Sequence, residues 1–94
     1  MAYVRKTNNT KKQKLLKIIG QLIKEKRLQK EKGILLLGYE YDVSGSSIMH
    51  LERGERDVQV TTLWKLANAF GMSFSEFVKE VETRLPEGFK LIDD

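Results

Sequence analysis

Asp42-Val43-Ser44-Gly45-Ser46-Ser47-Ile48-Met49-His50-Leu51-Glu52-Arg53-Gly54 is the stretch that decides how the chain is read. Ile48 and Leu51 are three apart and share one side of a helix. The 3.6-residue period turns Gly45, Ser46, Ser47, Met49, His50 and Arg53 away from them. Ser44 suits the N-cap, because its hydroxyl can accept from a backbone N–H that a new helix leaves unpaired. Gly54 suits the left-handed residue that closes a helix. The stretch therefore predicts a short helix over 45–53, apolar behind and small, hydrogen-bonding and basic in front.

Upstream, residues 33–41 predict a partner helix. Leu37 and Tyr41 are four apart and face inward with Val43, and Gly38 is small enough for a close crossing. With Gly38 as the fifth position of a helix-turn-helix unit, Leu37, Tyr41, Val43, Ile48 and Leu51 fall on the fourth, eighth, tenth, fifteenth and eighteenth. All five are apolar, as such a unit requires. Asp42 stands at the turn where glycine is usual, and Asp tolerates positive φ better than most residues.

With these residues in place, the chain resembles a known family. Leu51-Glu52-Arg53-Gly54, followed by Thr61-Thr62-Leu63-Trp64-Lys65-Leu66-Ala67-Asn68-Ala69-Phe70-Gly71-Met72-Ser73, looks like the XRE family of phage-repressor and Cro-like proteins. The resemblance covers roughly residues 19–78. It implies an all-α fold of five helices whose third lies in the DNA major groove. It places Arg27, eleven residues before Gly38, as the partner of Glu52 in a structural ion pair. It also implies base readout from the positions of Gly45, Ser46 and His50, with Ser47 and Met49 at the margins. Ser44, Arg53, Arg56 and Gln59 are candidate phosphate contacts. The chain departs from the family at Glu31-Lys32-Gly33-Ile34, where the pattern is Gly-Leu-Ser-Gln and the Gln binds a phosphate. Either that contact is lost, with Lys30 or Lys32 substituting, or the register slips locally.

Ninety-four residues, 40% of them apolar, fit one domain with a modest core. The chain has no cysteine and one histidine, which excludes a disulfide framework and a clustered zinc site, so neither metal nor cofactor is expected. The net charge of +4 hides an asymmetry: residues 1–32 carry eleven Lys/Arg against two acids, and residues 33–94 carry six against eleven. The basic third is a candidate polyanion contact, although a solvated helix face and a disordered tail are together as good a reading for any single lysine. No apolar run approaches the roughly 20 residues of a membrane span. A cytoplasmic location is expected, chiefly from the family resemblance.

Working outward, residues 1–10 read as a basic N-terminal arm, and a helix begins at Lys11 with Leu15, Ile18, Ile19, Leu22 and Ile23 as its apolar stripe. Within Ile34-Leu35-Leu36-Leu37 periodicity does not assign every face, and an exposed Leu35 or Leu36 would mark a subunit contact. Thr61 or Thr62 is expected to cap a helix carrying Leu63, Leu66, Ala67 and Phe70, with Trp64 in the core or at a dimer contact. Ser73-Phe74-Ser75-Glu76 has the form of a capping box, so a fifth helix follows and Pro86 stops it. The domain is expected over 11–85. In the extension 86–94, Phe89, Leu91 and Ile92 either fold back over the core or cross to a second subunit.

The function expected is a sequence-specific DNA-binding transcriptional regulator. It would be a repressor more readily than an activator, acting as a homodimer on a near-palindromic site of double-stranded DNA. Ser46, Ser47, Met49 and His50 lack the bidentate pairings that discriminate bases best, so groove shape and DNA bending would contribute to specificity. A prophage repressor, a restriction–modification controller and an antitoxin all fit. The alternative is a protein-interaction adaptor or antitoxin component that keeps the fold, binds DNA weakly and engages a protein such as a toxin or polymerase. No nucleophile–base set is visible, so an enzyme is not expected.

Overall fold

The computed structural model describes residues 7–93, which form five helices and no sheet beyond one isolated bridge. Helix α1 spans Asn9–Gln29. It starts two residues sooner than its apolar pattern because Asn8 is its N-cap, with Oδ1 accepting from the Lys11 N–H at 3.0 Å. Asn8 is also tied to the C-terminal tail: its N–H donates to the Leu91 carbonyl at 2.7 Å and its Nδ2 to the Asp93 carboxylate at 3.1 Å. Thr7 and Ile92 complete this junction as the antiparallel bridge. The expected arm over 1–10 is thus shorter, since residues 7–10 belong to the folded domain. The rest of it, with Arg5 and Lys6, lies outside the described residues.

The remaining helices are α2 (Ile34–Tyr41), α3 (Gly45–Glu52), α4 (Val60–Ala69) and α5 (Phe74–Thr83). The α5 capping box forms as its sequence predicts: the Glu76 N–H donates to Ser73 Oγ at 3.1 Å and the Ser73 N–H to Glu76 Oε1 at 3.0 Å. Helix α4 departs from expectation. Its N-cap is Gln59, with no side-chain cap bond, and Thr61 and Thr62 fall inside its first turn. The helix begins early because the N–H of the buried Leu63 donates to the Gln59 carbonyl at 3.0 Å, which brings Val60, itself exposed, into the first turn.

Each helix sends at least one side chain to full burial: Leu22 and Ile23 from α1, Leu37 from α2, Ile48 from α3, Leu66 from α4 and Phe77 from α5. Burying each is worth about 1.5–3 kcal/mol relative to exposure. The most intimate packing is α1 against the end of α3. A Cβ on Gly20 would collide with the Leu51 and Glu52 carbonyl oxygens, and Gly54, at φ 69°, lies against the Lys17 backbone. Gly38 plays the same role at the turn, where a Cβ would strike the Val43 carbonyl. Ion pairs Lys26–Glu80 at 3.1 Å and Arg84–Glu25 at 2.6 Å join α1 to α5. Among the described residues no helix is long and apolar enough to cross a membrane.

Candidate nucleic-acid interface

The α2–α3 turn is closed by Asp42 at φ 55°, while the Val43 N–H donates to the Gly38 carbonyl at 2.9 Å. The left-handed step at Asp42 was legible because Asp often takes that region. Its counterpart between α1 and α2 was not: Glu31, at φ 56°, stands where the family pattern has glycine. The register holds through this departure, and α2 begins at Ile34 with Gly33 as its N-cap.

From this turn α3 projects with Ile48 and Leu51 buried beneath it. Ser44 Oγ accepts from the Ser47 N–H at 3.4 Å and shares a 2.9 Å hydrogen bond with Ser46 Oγ. On the outward side Ser46 is exposed, and Gly45, Ser47, Met49 and His50 are half-buried; Arg53, the C-cap, is exposed. His50 Nδ1 lies 2.9 Å from Glu55 Oε2, and that hydrogen bond is the main reason the Glu55 carboxyl sits below the ordinary carboxylate range. A carboxylate at Nδ1 selects the tautomer protonated there, so a neutral His50 keeps Nε2 as an acceptor.

Arg27 and Glu52 form the expected pair, bidentate at 2.6 and 2.9 Å. Arg27 Nη1 also donates to the Lys32 carbonyl at 2.9 Å, so one guanidinium fixes both the end of α3 and the turn into α2. Its residue is only 8% exposed. The hydrogen bonds that Arg27 donates to Glu52 outweigh the desolvation that burial imposes and hold the guanidinium more firmly protonated than usual.

Each acid from α3 into the following loop has a basic partner. Glu52 has Arg27; Glu55 has His50 and, at 3.7 Å, Arg53; Asp57 has Lys12 at 3.3 Å. The pairing offsets charges that would otherwise repel phosphate beside α3. A cavity of about 260 Å³ between α3 and the start of α4 is lined by Ser47, Arg56, Gln59 and Thr62, with Leu51, Asp57 and Val58. It gathers three of the sequence-derived candidates and adds Thr62, at the helix end whose cap supplies no side-chain bond.

Two other candidates are not brought there. Lys32 Nζ pairs with Glu40 at 2.6 Å and stands 5.4 Å from the centre of the Tyr41 ring, while Lys30 reaches toward Gly71 at the far end of α4. Sequence reasoning also missed Tyr39, which is 89% exposed on α2, and the contact of Lys12 with the loop after α3. The stripe of basic residues on α1 was a signal for Lys12, but its orientation depends on the Gly20 crossing. Leu35 and Leu36 are both exposed, and Trp64 is half exposed, stacked on Phe74 with ring centres 4.6 Å apart.

Comparison with known proteins places this geometry among helix-turn-helix proteins. The HTH_3 family model, described as helix-turn-helix, matches residues 23–77. Among solved structures, the clp gene regulator ClgR from Corynebacterium glutamicum superposes with a TM-score of 0.68 at 24% identity, over 74% of each chain. The restriction–modification controller protein C.AhdI from Aeromonas hydrophila gives 0.62 at 29% identity, over 66% of this chain and 94% of that one. The controller protein C.Esp1396I, a tetramer in complex with its natural 35 base-pair operator, gives 0.66 at 23% identity, over 73% and 91%. No curated protein matches the chain.

Proposed function

We propose, from the premise that the chain belongs to the HTH_3 helix-turn-helix family, that it is a sequence-specific DNA-binding transcriptional regulator with α3 in the major groove. The observation that carries this reading is α3 itself. It is propped from behind by Ile48 and Leu51, is free of large apolar side chains in front apart from Met49, and is flanked by paired acids and exposed Arg53 and Arg56. Ser46 and His50 are the base readers, with Ser47 and Met49 beside them; Gly45 adds no side chain of its own and has a leucine methyl of α2 beside it. A neutral His50 offers Nε2 to the exocyclic amino group of adenine or cytosine, and a protonated His50 would donate to guanine instead. Ser44, Arg53, Arg56 and Gln59 hold phosphates. Lys30 and Lys32 contribute to the general positive field more than to the site, since Lys32 is engaged by Glu40.

We infer a homodimer acting as a repressor on a near-palindromic operator, because two α3 helices about 34 Å apart read two half-sites, whereas one presents too few side chains. Trp64, half exposed and stacked on the half-buried Phe74, is the two-fold contact surface we propose. Of the circuits such a regulator serves, restriction–modification control is supported by the 29% identity with C.AhdI. Selection of bound duplexes from a random pool tests the whole reading: it should yield a near-palindrome, with affinity falling by about 0.9 log units per log unit of salt for each phosphate neutralised. An unenriched pool would refute it. The second reading, an adaptor or antitoxin component, rests on the exposed α2 surface of Leu35, Leu36 and Tyr39.

A further inference from the structure

We propose that Leu35 is a specificity-determining residue that reads the C5 methyl group of a thymine facing the first turn of α3. The inference deepens the DNA-binding reading and rests on it. Gly45, the first residue of α3, has no side chain with which to contact a base, and the structure leaves little room for one. A Cβ there would stand 3.0 Å from Leu35 Cδ2 and 3.7 Å from Ile34 Cγ2. A leucine methyl from the neighbouring helix thus occupies the place of a reading side chain. Leu35 is nevertheless 82% exposed, so the core does not use it.

The surroundings define its partner. On one side Ser44 and Ser46 share a hydrogen bond at the start of α3; of the two apolar residues at that corner, Ile34 packs against the core, which leaves Leu35 as the exposed one. Against a phosphate, a leucine would strip water from the charge and return no hydrogen bond. Within the major groove the apolar feature of an unmodified base pair is the thymine methyl. The juxtaposition of a bare Gly45 backbone and an overhanging Leu35 therefore suits one ligand group, a methyl at groove depth, with the Ser46 hydroxyl left for the adjoining base edge.

The test uses the whole protein and the duplex selected by it from a random pool. Each thymine is replaced singly by uracil, which keeps every hydrogen-bonding group and removes only the methyl. At one position per half-site uracil should lower affinity roughly fourfold, the transfer of one methyl group out of water. Leu35→Ala should bind the thymine and uracil duplexes equally, with an unchanged melting temperature, while Leu28→Ala, at an exposed leucine on α1 outside the interface, keeps the discrimination. Gly45→Ala, whose Cβ pushes Leu35 aside, should weaken it. A flat uracil scan with the wild-type protein on a well-bound duplex overturns the role of Leu35 alone, as does discrimination that survives in Leu35→Ala. A pool from which no duplex is enriched overturns the DNA reading and this proposal together.

Discussion

Arg27 shows what one residue decides in this fold. Replacing it by alanine leaves the Glu52 carboxylate buried without its bidentate partner, and breaking such a pair from one side costs on the order of 3–5 kcal/mol. Lys26, its neighbour, makes a more exposed pair with Glu80, of a kind worth about 0–1 kcal/mol. Arg27→Ala should therefore melt at least about 8 °C below Lys26→Ala, at about 4–8 °C per kcal/mol for a domain of this size; equal melting temperatures would refute the assignment. Glu31 is the opposite case, a residue the fold holds at strain. Its φ of 56° suits glycine, its side chain is exposed, and Glu31→Gly is expected to raise stability by up to about 1 kcal/mol in denaturant titration. Asp42 announced its left-handed turn in the sequence because Asp bonds locally in that region. Glu31 gave no such signal, and only the family pattern of glycine at its place marked it. Acid provides a third test, since Glu25, Glu55 and Glu76 are all held below the ordinary glutamate value of about 4.3, chiefly by hydrogen bonds from Arg84, His50 and the Ser73 backbone respectively. A carboxyl with a depressed folded value stabilises above the unfolded one and loses that contribution as pH falls through the folded value. The melting temperature should thus fall on acidification below about pH 4, and Glu76→Gln should flatten part of that decline.

At the scale of elements, the crossing of α1 over α3 separates two effects that the sequence alone cannot rank. Alanine is favoured over glycine in a helix interior by about 1 kcal/mol, so propensity says that Gly20→Ala stabilises α1. The structure says otherwise, because the added Cβ meets backbone carbonyls of α3 that cannot rotate aside, and overpacking of this kind costs about 1–3 kcal/mol. The clash should win, and Gly20→Ala should melt lower than wild type, while Gly33→Ala, with open space around its Cβ position, should change little. A Gly20→Ala protein more stable than wild type would mean that α1 and α3 are further apart than described. This crossing explains why the helices were legible and their mutual placement less so. The apolar stripe of α1 and the Ile48–Leu51 pair of α3 are periodic signals, whereas Gly20 appears in the sequence only as an interruption of an apolar run. The start of α4 was misplaced for a related reason: Thr61 and Thr62 are good caps locally, but the hydrogen bond from the buried Leu63 to the Gln59 carbonyl fixes where the helix begins.

The whole molecule raises a question that a single copy does not answer, namely how two reading helices are held one turn of DNA apart. Trp64 is half exposed and lies flat on Phe74, with rings 4° from parallel; Phe74 packs against the core, so the outer part of the indole is the aromatic surface left over. Aromatic anchors of this kind dominate interfaces when a partner covers them. The sequence reading allowed the core or a dimer contact for Trp64, and its exposure favours the contact. Trp64→Asp should leave the monomer folded, because the indole contributes little to the core, yet sedimentation should show monomers where the wild-type protein sediments as dimers. Operator affinity should then fall by more than tenfold, and the log–log salt slope should shrink toward half, since one subunit neutralises half the phosphates. If Trp64→Asp sediments as a dimer with its salt slope intact, the two-fold contact lies on another surface, and the C-terminal segment bearing Leu91 and Ile92, each 36% exposed, becomes the place to test next.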